Sequence, residues 1–80
     1  MTAMPRFFLH VRDGVDLITD PDGSCFPDIG SARAEAILSA RELMSQSILG
    51  HACIGIERRF EIADNQGSTV AIVPFREAVH

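Results

Sequence analysis

The chain has 80 residues, seven arginines, no lysine, eleven acidic residues and a net charge of −4. That length supports a single domain, and folding at this size buries only about 60% of the surface the unfolded chain exposes. An acidic chain without a basic stripe, and without Trp or Tyr, is poorly suited to phosphate backbones or base stacking, so nucleic acid is a disfavoured partner.

Residues 1–6 lack the long apolar run of a secretory signal, and no stretch reaches the roughly 18 apolar residues of a membrane span. The expectation is a cytoplasmic protein with no membrane partner, a domain over 4–79, and disordered ends at 1–3 and 80. Arg6 to Arg12 alternate as a strand: Phe7, Leu9 and Val11 share one face, while Phe8 and His10 share the other with the flanking arginines. Asp13-Gly14 marks a turn. A three-residue loop, Arg12 to Gly14, pairs Val11 with Val15 and Leu9 with Leu17, which keeps apolar side chains together. On the reverse face the same register sets Phe8 opposite Ile18 and His10 opposite Asp16.

Residues 19–28 are rich in turn formers and lead to a helix. Asp28 is placed to be its N-cap, and the helix is predicted from Ile29 to Leu49 with a stop at Gly50. Ile29, Ala36, Ile37, Ala40, Leu43, Met44 and Ile48 form the buried stripe, and the small alanines at its centre permit a close approach to a sheet. Leu38 and Leu49 fall among polar residues and have no place in a one-sided helix. A second hairpin follows, with strands Ile56–Asp64 and Ser68–Phe75. A three-residue loop, Asn65 to Gly67, pairs Ile62 with Val70 and Phe60 with Ile72. Pro74 fits a strand end or a sheet edge.

The sum is a ββαββ α+β sandwich: a four-stranded antiparallel sheet with one long amphipathic helix on one face. The core is expected to hold Phe7, Leu9, Val11, Val15, Leu17, Phe60, Ile62, Val70 and Ile72. The other face then carries Phe8, His10, Ile18, Val73 and Phe75, mixed with Asp16, Arg59 and Glu61. That is more apolar surface than a small monomer comfortably exposes, and it reads as a homodimer interface.

The chemical motifs each have a plain structural explanation. Asp20-Pro21-Asp22-Gly23-Ser24 suggests a calcium loop, but Ser31 stands where a bidentate glutamate is required, so a solvated Asx turn is expected. His10 beside Asp16 suits a cross-strand pair better than a general base, since no nucleophile is predicted nearby. His51 and His80 are too scattered from it to form a metal site. Cys25 and Cys53 form no CxxC pair and read as free thiols, with three aspartates giving Cys25 the wrong electrostatic setting for reactivity. Arg58-Arg59 reads as solvated strand positions, and the glycines form no phosphate-binding pattern. No catalytic residue, metal or cofactor is expected.

The blocks MPRFFLHVRDG, PDIGSARAEAILSARELM and RRFEIADNQGSTVAIVPFREAV, in that order, resemble a family of short proteins carrying a domain of unknown function in rhizobia and other alphaproteobacteria. The resemblance spans about Met4 to Val79 and implies no activity, cofactor or catalytic residue. A weaker likeness is to HicB-type antitoxins, through the hairpin, the Phe26-Pro27-Asp28 segment and the Ala/Glu-rich helix; the glycine-cysteine turn expected after that segment is missing. The sequence therefore points to a non-enzymatic interaction or regulatory module acting as a homodimer. A HicB-like antitoxin subunit is the alternative, and a small enzyme using Cys25 or His10, which requires a concave polar pocket around one of them, comes third.

Overall fold

The computed structural model describes residues 4–49 and 58–78. Chain order is β1 (Arg6–Asp13), β2 (Asp16–Ile18), β3 (Ser24–Cys25), α1 (Ile29–Leu49), β4 (Arg59–Ala63) and β5 (Thr69–Pro74), closed by a 3₁₀ turn, Phe75–Ala78. The strands form an antiparallel sheet in the order β2-β1-β4-β5, with the two-residue β3 added to the edge of β1 beside β2. The expected α+β class, with a helix on one face of an antiparallel sheet, is the observed one.

The helix begins where its sequence signals put it. The Asp28 carboxylate accepts the Ser31 backbone N–H at 2.7 Å, satisfying one of the donors that a helix start leaves unpaired. That bond holds the Asp28 carboxyl below its ordinary range. Ala32, Ala36 and Ala40, four residues apart, are wholly buried. With only methyl groups on this stripe, the helix backbone comes close enough to cover Phe75, Val73 and Ile62, the largest fully buried side chains. Ile29 and Leu43, expected in the stripe, lie at its margins and are 40% and 36% exposed, and Leu38 is 55% exposed on the outer side.

Helix α1 packs chiefly on β5 and the C-terminal turn. Arg41 donates to the Ala78 carbonyl at 3.2 Å, and Arg33 lies 3.5 Å from the Ile72 carbonyl and 3.7 Å from the Glu77 carboxylate. The β1–β2 side of the sheet is correspondingly less covered. Phe7 is buried there, but Leu9, Val11 and Phe26 are only partly so.

Both hairpins correct the expected registers. The first closes through a two-residue loop, Gly14-Val15, pairing Asp13 with Asp16, Arg12 with Leu17 and Val11 with Ile18. Gly14 takes the left-handed conformation (φ 64°) at the first loop position, as tight hairpins matching the strand twist require. Apolar matching fails as a guide here because β2 lies beyond the helix. Val15 is 94% exposed and Leu17 40%, so neither enters the core. Ile18 shares a face with Val11, on the helix side of the sheet, rather than with Phe8. His10 faces Glu61 of β4, not Asp16.

The second hairpin has the expected Asn65–Gly67 loop. Asp64 and Ser68 close it through a 2.9 Å backbone bond, the Asp64 carboxylate accepts the N–H groups of Gln66 and Ser68, and Gly67 is left-handed (φ 87°). A bulge at Ile62/Ala63 then shifts the register by one. Ile62 pairs with Ala71 and Phe60 with Val73, while Glu61 pairs with Ile72. The consequence reverses the expected faces of β5: Val73 and Phe75 are fully buried, and Val70 and Ile72 are 36% and 49% exposed. The bulge places a phenylalanine in the core where the unbulged register would place a proline. Phe75 packs against Phe60 with tilted rings whose centres are 5.0 Å apart, and its N–H donates to the Arg58 carbonyl at 2.9 Å, resuming the ladder past Pro74.

The expected helix stop at Gly50, the strand start at Ile56, His51, Cys53, His80 and the two chain ends lie outside the described residues, as do the side chains of Met44, Ile48 and Leu49.

This register makes an asymmetric prediction for neighbouring residues. Phe75→Ala should cost about 3–5 kcal/mol and Ile72→Ala within about 0.5 kcal/mol, read from urea unfolding midpoints at a protein concentration dilute enough to exclude any effect of association. Similar losses at both positions would contradict the register.

Candidate functional site

Strand alternation and the two shifted registers decide what the helix-free face of the sheet presents. Across it run Leu17, Arg12 and Arg59 in one row, His10, Glu61 and Ile72 in the next, and Phe8, Ala63 and Thr69 in a third. Arg12 and Arg59 are direct cross-strand neighbours, an arrangement that is unfavourable for like charges. Glu61 resolves it. Its carboxylate accepts Arg12 through Nε at 3.0 Å and a second nitrogen at 3.4 Å, and lies 3.2 Å from both Nε and a terminal nitrogen of Arg59.

The Glu61 side chain is 14% exposed beneath the two guanidinium groups, against 29% for Arg12 and 46% for Arg59. The bond from Arg12 is the main cause holding the Glu61 carboxyl below its ordinary range, with burial opposing and Arg59 assisting. The same bond raises the Arg12 guanidinium. On the other side of the sheet, Arg58 lies 3.2 Å from the Asp13 carboxylate, although its Nε–H is not aligned for a hydrogen bond.

Asp20 secures the edge of β1 between β2 and β3. Its carboxylate accepts the N–H groups of Leu9 (3.2 Å), Gly23 (3.1 Å) and Asp22 (3.4 Å), and its own N–H donates to His10 Nδ1 at 3.0 Å. The 20–24 segment is thus the expected Asx turn. Gly23 (φ 68°) lies so close to β1 that a Cβ there would fall 2.8 Å from the Phe8 ring and 2.9 Å from the Phe7 carbonyl. His10 thus takes the Asp20 N–H through Nδ1, and the imidazole stacks on Phe8 at 6.2 Å.

On the helix side, a groove of about 380 Å³ runs between α1 and β1. Its apolar lining includes Leu9, Phe26 and Phe60, and its rim includes Asp20, Glu35 and Glu42. Neither His10 nor Cys25 lines it. Among the described residues, no three His, Cys, Asp or Glu side chains gather as a metal site, and no helix is long and apolar enough to cross a membrane. Cys25 is an exposed free thiol.

Of the five residues expected on the reverse face, Phe8 and His10 are there, half-buried. Ile18 lies on the helix side, and Val73 and Phe75 are in the core. The residues that sequence reasoning left out of that interface are Arg12, Leu17 and Ile72. The alternation Arg59-x-Glu61 opposite Arg12 was the available signal, and it depends on the β1–β4 pairing that sequence alone did not fix.

These features define a two-layer α+β domain with one sheet face left open. Residues 6–76 match the family described as Domain of unknown function (DUF6894), and the chain belongs to that family. No curated protein and no solved structure matches it.

The lowered Glu61 carboxyl has a definite consequence for acid stability. A depressed folded-state value contributes stability that is present above the ordinary glutamate range and lost as pH falls through the lowered value. Glu61→Gln should therefore flatten the acid side of the stability–pH curve, measured by urea unfolding across that range. An unchanged acid limb would show that the arginine–glutamate cluster contributes nothing.

Proposed function

We propose that this domain is a non-catalytic interaction module that self-associates through the helix-free face of its sheet. The observation that carries this is the make-up of that face: Ile72 (49% exposed) and Leu17 (40% exposed) flank an Arg12–Glu61–Arg59 cluster with no helix over it. Apolar side chains set among arginines are the composition of protein interfaces rather than of an idle surface. The small domain also stands to gain from association, since its helix protects only one side of the sheet and its deepest helical contacts are alanine methyls.

Sedimentation velocity on the wild type and on Ile72→Glu tests the proposal. The wild type should show a mass above the monomer that rises with concentration, and Ile72→Glu should be monomeric with an unchanged circular dichroism spectrum. A wild type that stays monomeric at high concentration, or an Ile72→Glu variant that assembles as the wild type does, would overturn it.

A further inference from the structure

The flank of α1 beside β1 carries an exposed stripe that the core does not explain, with Glu35 and Glu42 on the rim of the groove and Leu38 exposed beyond them. Glu35, Leu38 and Glu42 recur at the i, i+3, i+7 spacing of one helix face, and Leu38 is 55% exposed. Neither glutamate makes an ion pair with a described residue, and Glu35 is met only by the Ser39 hydroxyl at 3.5 Å. Of the nearby cations, Arg41 is turned to the Ala78 carbonyl and Arg33 to Glu77 and the Ile72 carbonyl. The stripe is therefore an acidic pair around a leucine.

The open sheet face is its complement. There two arginines share one carboxylate, leaving an excess of positive charge beside Ile72 and Leu17. We infer that the partner of the open sheet face is a second copy of this chain, presenting the Glu35–Leu38–Glu42 stripe of its helix. This rests on the self-association proposed above and specifies its geometry.

A two-fold pairing of two open faces would instead bring the arginine clusters of both copies into one interface, where like charges oppose. The helix stripe and the open face lie on opposite sides of a two-layer domain, so one pair of copies cannot satisfy both at once. The contact is head to tail, and it propagates as a chain or closes as a ring. Each sheet in such an assembly has a helix on both faces, one its own and one its neighbour's.

Two variants, each blocked on one surface, test this. Ile72→Glu blocks the sheet face and Leu38→Glu the helix stripe; both sites are exposed, and circular dichroism with urea midpoints verifies that each variant folds. Light scattering on a sizing column should find wild-type mass exceeding a dimer and falling as salt rises from about 50 to 500 mM. Each variant alone should be monomeric, and an equimolar mixture should form a one-to-one pair through the two surfaces left intact. If Leu38→Glu assembles as the wild type does while Ile72→Glu does not, the copies pair sheet to sheet: the head-to-tail inference falls and self-association stands. A mixture that stays monomeric also overturns the inference. Wild type that never associates overturns both.

Discussion

The bulge opposite Ile62 and Ala63 is the constraint on which the rest of the molecule depends. In a strand, side chains alternate with a period of two, so a single inserted residue exchanges one face for the other. In β5 that exchange buries Val73 and Phe75 and exposes Val70 and Ile72. Phe75 then meets Phe60, its amide reaches the Arg58 carbonyl, and the chain folds into the 3₁₀ turn that Arg41 and Arg33 tie to the helix. The buried alanines of α1 fit this arrangement, because the bulky groups they cover come from β4, β5 and that turn.

The same shift creates the open face. Ile72 is delivered beside Glu61, whose carboxylate holds Arg12 of β1 and Arg59 of its own strand. The face thus takes its hydrophobic group from the β5 register and its surplus positive charge from the β1–β4 pairing. The opposite edge is managed differently. A strand edge presents unpaired amides, and β1 covers its own with β2, the Asp20 carboxylate and β3 in succession. The Gly23 backbone lies against Phe8 there, which keeps that ring half-buried and moves the accessible part of the face toward Ile72.

Much of this was legible in the residues. The helix start, the Asp28 cap, the Asn65–Gly67 loop and the Asx turn at Asp20 are set by local chemistry, in which a side chain and a backbone a few residues apart decide the outcome. The faces of β1 and β4 also follow from alternation. The phase of β2 and β5 was not legible, for two physical reasons. β2 lies outside the helix footprint, so pairing valine with valine there gains little burial. In β5, Val70-Ala71-Ile72-Val73 is apolar on both faces, so alternation cannot choose a phase. The choice falls to Phe75, two residues past Val73 and beyond a proline that made the segment look like a strand end. Val73 and Phe75 are therefore core residues, and Ile72, Leu17 and the arginine pair occupy the open face instead.

The phase of β5 is the point on which the account stands, and cross-strand nuclear Overhauser contacts read it directly. The bulged register predicts contacts of Phe60 with Val73 and of Ile62 with Ala71, with Ile72 reaching Glu61 on the open face. Contacts of Phe60 with Ile72 and of Ile62 with Val70 would place Ile72 in the core and contradict the account.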